Sequence, residues 1–213
     1  MSTRQLGIFG VSGFAREVGD IAHALGYEPV YIARDQADID AWHFPEQIIL
    51  EQDVQRLDAD DFAIGIGDNS IRQKVSERYS SHCNFINVIH PSATFGRLQL
   101  ATINSRKGVI VCAGARLTNN IEVGNFNIFN LNATVGHDVI LEDFINIAPG
   151  ANISGNVHIE KGCWIGSGAV VNQGDSAMKL TIGKNTIIGS GSVVVKSCEH
   201  NAVYVGIPAK KIK

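Results

Sequence analysis

The chain has 213 residues, 45% hydrophobic and 18% charged, which suits one large domain or two small ones with a sizeable core. A net charge of −3 without a basic run argues against nucleic acid as a partner. No run of about 18 apolar residues is present, so membrane insertion is not expected.

Met1–Gln5 lacks the charged and apolar regions of a secretory leader, and the expected location is the cytoplasm. Cys83, Cys112, Cys163 and Cys198 form no C-x-x-C pair, so they read as reduced thiols and not as a zinc knuckle or redox motif.

Residues 6–10 (Leu-Gly-Ile-Phe-Gly) read as a buried strand, and Gly10-Val-Ser-Gly13 as a turn. Phe14, Val18, Ile21, Ala22 and Leu25 follow at helical spacing, and Gly26 ends that helix. Strands are expected at 29–33, 62–66 and 85–89, with a helix carrying Ile71, Val75 and Arg78 after Gly67-Asp-Asn-Ser70. Strands alternating with helices imply a small Rossmann-like parallel sheet over residues 1–88. Such sheets bind ligands at the carboxyl ends of their strands. Three loops qualify: Gly10–Phe14, Arg34–Asp35 and Gly67–Asn69. The first opens a helix, whose N–H groups suit a phosphate. Arg34 and Asp35 lie roughly twenty residues on, where a ribose or base contact is expected. Gly7-x-x-Gly10-x-x-Gly13 departs from the strict G-x-G-x-x-G fingerprint. Its glycines fit close strand–helix packing as well as a nucleotide.

From Val111 every sixth residue is apolar: Leu117, Val123, Phe129, Val135, Leu141, Ile147, Ile153, Ile159, Ile165 and Val171. Small or turn-forming residues such as Gly114, Asn119, Asn120, Gly150, Gly155 and Gly168 recur two or three places later. Each hexad is a short strand plus a corner, and three hexads close one triangular coil. The expected fold of residues 89–213 is therefore an all-β, left-handed parallel β-helix, regular from about 109 to 195. After Val171 the inward series resumes at Ile182, Ile188 and Val194. Residues Asn172–Leu180 are expected to leave the helix as a loop, and residues 93–107 to form a poor first coil with a loop.

Of seven histidines, His23, His43 and His82 read as surface and His90 as a domain-junction contact. His158, beside inward Ile159, faces outward, and His200 lies in a polar segment. His137 stands two residues past inward Val135, at a corner of the central coils, with Asp138 next. Acyl transfer to an amine or hydroxyl needs a base near neutrality, which suits histidine. A carboxylate fixes its tautomer, although adjacent side chains on a strand diverge and Asp138 reaches His137 only at a bent corner. The bland alternative is an exposed turn histidine. A zinc-dependent carbonic anhydrase on this scaffold needs three histidines around one metal, and the repeat offers only His137 and His158.

A small nucleotide-binding domain, a hexapeptide β-helix with Val135-Gly-His-Asp138 at its middle, and a Val205-Gly-Ile-Pro-Ala-Lys210 ending resemble the nucleotide-sugar N-acetyltransferases. These are the bacillosamine and perosamine 4-amino-sugar acetyltransferases, with the sialic-acid O-acetyltransferase group. The resemblance implies a homotrimer with active sites between subunits. It implies His137 as catalytic base, Asp138 as the acid that tunes it, acetyl-CoA as co-substrate and no metal. The nucleotide would lie against Ser12, Gly13, Phe14, Arg34, Asp35 and Gly67. Acetyl-CoA would run past Asn146, Gly155, Ser167 and Ser190. The implied substrate is a nucleotide-linked 4-amino-4,6-dideoxy sugar, UDP-linked first, acetylated at the C4 amine for cell-surface glycans. Relatives often carry a histidine where Phe14 stands, an acidic pair where Arg34-Asp35 stands, Glu for Asp138 and in some cases a second histidine for Asn146. Sugar O-acetylation and a non-enzymatic scaffold or nucleotide sensor are the alternatives.

Overall fold

The computed structural model describes residues 4–57 and 59–213; Met1–Thr3, read above for a leader, lie outside them. Five parallel strands, β1 (Arg4–Phe9), β2 (Tyr27–Ala33), β3 (Gln47–Leu50), β4 (Asp61–Ile64) and β5 (Asn84–Phe85), form a sheet in the order β3-β2-β1-β4-β5. Side chains alternate across it. Leu6 and Ile8 pack on helix α1 (Gly13–Ala24) through Ala15, Val18, Ile21 and Ala22. Phe9, Phe62 and Ile64 belong to a second cluster with Val75 and Tyr79 of a later helix, Asn69–Tyr79. The sequence reading missed β3. It is a four-residue, mostly half-buried edge strand behind the short helix α2 (Gln36–Asp40), too brief to show a period. The single strand expected over 85–89 divides. Phe85 pairs with Phe62, whereas Val88 and Ile89 pair with Ile110 and Val111. The chain therefore changes sheets between Phe85 and Val88.

The rest is a left-handed parallel β-helix. Its first face carries strands such as Ile110–Val111, Ile128–Phe129, Asn146–Ile147 and Trp164–Ile165, its second Arg116–Leu117, Thr134–Val135 and Asn152–Ile153, its third Glu122–Val123, Ile140–Leu141 and Val157–Ile159. Thr134 pairs with Arg116 above and Asn152 below, a step of one 18-residue coil. Every residue of the inward series from Val111 to Val194 is at most 2% exposed. A second buried column lies two places earlier, at Ala115, Ile121, Ala133, Val139, Ile145, Ala151, Val157, Cys163 and Ala169. The corner is sharper than the sequence reading placed it. From Val111 to Ile165 the residue three places after each inward residue has positive φ: Gly114, Asn120, Phe126, Asn132, Asp138, Phe144, Gly150, Asn156, Gly162 and Gly168.

The register break is an insertion of five residues. His158 pairs with Thr181, 23 positions on, where Ile140 pairs with His158 at 18. Leu180 belongs to strand Leu180–Ile182 and pairs with Val157, so the loop ends at Lys179 and not at Leu180. The first coil is also better ordered than expected. Thr94–Phe95 pairs with Arg116–Leu117, and helix α4 (Gln99–Asn104) replaces the missing third side. Buried Gln99 acts there as a strand. Its Nε2 donates to the Ile121 carbonyl at 2.9 Å and its Oε1 accepts from the Ile121 N–H at 3.0 Å. Among the described residues no helix is long and apolar enough to cross a membrane.

Gln99→Leu leaves a buried N–H and a buried carbonyl without partners. It should lower unfolding free energy by about 3 kcal/mol, read by urea denaturation. A loss below about 0.5 kcal/mol would mean that the Gln99 amide is not a structural substitute for a strand.

Candidate active site

Positive φ at Asp138 turns the chain between two neighbouring side chains that would diverge on a strand. His137 Nδ1 lies 2.7 Å from Asp138 Oδ2, and the imidazole is 54% exposed. Asn120, one coil above, donates to Asp138 Oδ1 at 2.6 Å. These two donors, Asn120 first, hold the Asp138 carboxyl below the usual carboxylate range. The carboxylate accepts from Nδ1–H, which leaves Nε2 as the free base. Nε2 sits over Gly155, one coil below. A Cβ at Gly155 would fall 2.7 Å from both Nε2 and Cε1 of His137. Burial pushes the Cys112 and Cys163 thiols to about 12, which keeps them from acting as thiolate nucleophiles near neutrality.

The three ligand loops of the N-terminal sheet stand side by side, because β2, β1 and β4 are neighbours. Ser12 is the N-cap of α1 and its hydroxyl makes no capping bond. Gly13 is exposed and Phe14 packs partly into the core below α1. Arg34 pairs with Asp35 at 2.8 Å, and Asp35 caps α2 by accepting from the Asp38 N–H. Gly67 leads into α3 (Asn69–Tyr79). Its carbonyl accepts from Asn146 Nδ2 at 3.1 Å and from Arg72 Nη1 at 2.9 Å. A cleft of about 440 Å³ beside it is lined by Asp68, Asn69, Ser70, Gln73, Trp164 and Ile187.

The residues expected along the cofactor path divide. His137 and Gly155 follow strands of the second face, on its edge with the third. Exposed Ser167 and Ser190 follow strands of the first face, stacked on its edge with the second. Asn146 is buried on the first face under Gly67, and its Oδ1 has no hydrogen-bond partner. One chain therefore does not gather His137, Asn146, Ser167 and Ser190 into one pocket. Among the described residues no group of three His, Cys, Asp or Glu side chains is placed to hold a metal.

Residues 5–79 match the family described as PglD N-terminal domain. The chain is 35% identical over 154 residues to GDP-perosamine N-acetyltransferase of Escherichia coli O157:H7, covering 71% of this chain and 67% of that one. The chain belongs to the nucleotide-sugar N-acetyltransferases of the hexapeptide-repeat superfamily. Two solved structures extend the likeness to the whole chain. PerB from Caulobacter crescentus, in complex with CoA and GDP-perosamine, has a TM-score of 0.85 at 27% identity, covering 98% of this chain and 97% of that one. The acetyltransferase domain of PglB from Neisseria gonorrhoeae FA1090, in complex with acetyl coenzyme A, has a TM-score of 0.84 at 28% identity, covering 99% and 100%.

Three residues of this acetyltransferase escaped the sequence reading. Asn120 was recoverable, since it stands one coil of 18 before Asp138 in the corner series. Arg72 and Asn69 were not, because their partners are distant carbonyls. Buried Arg72 donates to Phe126 O at 2.9 Å, Ile66 O at 3.0 Å and Asn69 Oδ1 at 2.7 Å. Asn69 Nδ2 in turn donates to Gly162 O and Cys163 O, both at 2.9 Å.

Gly155→Ala should displace the imidazole without unfolding the coil, because the clashing atoms end a mobile side chain. Turnover should fall at least about tenfold while the melting temperature moves by only a few degrees; unchanged turnover would place the working imidazole elsewhere. Asn120→Ala removes the largest cause of the low Asp138 pKa. The Asp138 carboxyl carbon should then titrate at higher pH by NMR, and a stationary midpoint would exclude Asn120 as the cause.

Proposed function

We propose that this enzyme transfers the acetyl group of acetyl-CoA to the C4 amine of a nucleoside-diphosphate-linked 4-amino-4,6-dideoxy sugar, a precursor of cell-surface glycans. The carrying observation is the His137–Asp138 pair, with Nδ1 engaged and Nε2 free over Gly155. The neutral amine attacks the thioester carbonyl while Nε2 accepts its proton. The C–N bond forms, the C–S bond breaks, and the proton passes to the departing CoA sulfur. Asp138 holds the tautomer and stabilises the imidazolium formed in the step. The Gly155 N–H at the same corner is the donor assigned to the developing oxyanion. The nucleotide is assigned to Ser12, Gly13, Phe14, Arg34, Asp35 and Gly67. Its diphosphate meets the N–H groups that open α1.

Support for the nucleobase comes from the relatives. One is a GDP-perosamine enzyme and one carries GDP-perosamine, which favours a GDP-linked sugar over the UDP-linked one expected from sequence. Acetyl-CoA runs past Gly155 of one subunit and Ser167 and Ser190 of the next, in a homotrimer, and Asn146, buried under Gly67 of its own chain, stands outside that path. The cytoplasm is the assigned location, in keeping with four free, buried cysteines.

Purified enzyme with acetyl-CoA should release thiol against a panel of GDP-, UDP- and dTDP-linked 4-amino-4,6-dideoxy sugars, fastest with GDP. Silence across the panel, or acetylation of the matching 4-hydroxy sugars alone, would sink the reading. His137→Ala should lower kcat by about 10²–10⁴-fold, with the oligomer intact by sedimentation.

A further inference from the structure

We infer that Lys179, on the five-residue insertion of the β-helix, is a positioning residue for the His137–Asp138 pair. The inference rests on the proposed role of that pair. It comes from how the corners are bonded. Between coils, from Asn132 to Gly168, the N–H of the positive-φ residue donates to a carbonyl two places past an inward residue. Asp138 donates to Asn119 O, Phe144 to Asn125 O, Gly150 to Leu131 O and Asn156 to His137 O. The ladder leaves the carbonyl of the positive-φ residue itself unused at Phe126, Asp138 and Gly162, whereas at Asn156 it accepts from the Leu180 N–H. At Phe126 and Gly162 the N-terminal domain takes it, through Arg72 and Asn69. At Asp138 the donor is Lys179 Nζ, 41 positions away in sequence.

The insertion is built to deliver that amine. Its entry is tied to the corner directly below the pair, with the Gly174 N–H donating to Gly155 O at 3.1 Å. Its tip is a closed turn in which Asp175 Oδ1 accepts from the N–H groups of Ala177 at 2.9 Å and Met178 at 2.7 Å. Its exit is fixed by the Leu180 N–H on Asn156 O at 3.1 Å. Lys179, next to that anchor, is half-buried. A cation held on the Asp138 carbonyl pins the peptide whose left-handed turn aims Oδ2 at His137 Nδ1. The same charge adds to the causes that keep the Asp138 carboxyl ionised. The insertion thus acts on the base and not only on the shape of the groove.

The test uses the full-length enzyme with its best sugar substrate. Lys179→Met keeps the stem and loses the charge. It should lower kcat by about tenfold or more with both KM values within about twofold of the parent. Lys179→Arg should restore most of the loss. Deleting residues 175–179 returns the step from Val171 to the next inward residue to six, so the coil should fold with a near-parental melting temperature. Its kcat should match that of Lys179→Met. A kcat within twofold of the parent in Lys179→Met, or in the folded deletion variant, overturns the inference. His137→Ala separates the two readings. If it is inactive while Lys179→Met is normal, only the role of Lys179 fails; if it is active, the catalytic pair fails as well.

Discussion

The structure depends on one backbone constraint, a left-handed turn three places past each inward residue from Val111 to Ile165. An L-residue with a side chain disfavours positive φ, and Gly, Asn and Asp meet it at least cost. That requirement explains why Asn120, Asn132, Asn156 and Asn185 stand where they do, alternating with Gly114, Gly150, Gly162 and Gly168. It also explains Asp138. An acid is among the few residues the corner accepts, and the same turn brings its carboxylate onto the preceding histidine. The proposed catalytic pair is therefore a corner of the fold with a titratable residue on each of two positions. Gly155 completes it by leaving space for the ring.

Phe126 and Phe144 break the rule. A bulky side chain in the left-handed region costs on the order of 1–3 kcal/mol. Their rings stack with centroids 5.2 Å apart and planes 4° from parallel, and Phe85 meets Phe126 edge-on. This is the edge on which the N-terminal domain docks, and burial there offsets the backbone cost. The Phe126 carbonyl left open by the corner is the acceptor of Arg72. Burial lowers the Arg72 pKa to about 9, against the opposing pull of the Asp68 charge, and its N–H groups meet acceptors from both domains. The loop that starts at Gly67 is thereby fixed to the coils, and a ligand on that loop is held in register with the β-helix.

Much of this was legible in the sequence because it repeats. The inward column, the turn residues and the break after Val171 each follow from a period that no alternative fold imitates. His137 stood out by its place in that period. What escaped depends on contacts without a period. Strand β3 is too short to show one. Helix α4 replaces a side of the first coil because the Gln99 amide supplies the hydrogen bonds of a strand. Arg72 and Lys179 act on main-chain carbonyls, which every residue possesses and no side-chain pattern marks. Asn146 shows the opposite case. It was expected along the acetyl-CoA path, yet its amide turns to Gly67 of its own N-terminal domain, a partner the repeat does not specify.

The triangular cross-section then limits how a complete site is made. His137 and Gly155 occupy one edge of the prism, Ser167 and Ser190 another, and a face separates the two. An extended molecule lying along the first edge of one chain meets the second edge only if another chain presents it. Such a contact joins two different edges, so it is heterologous, and it closes into a ring when the rotation suits the prism. The homotrimer proposed for this enzyme is one such closed ring, bringing Gly155 of one chain to Ser167 and Ser190 of the next.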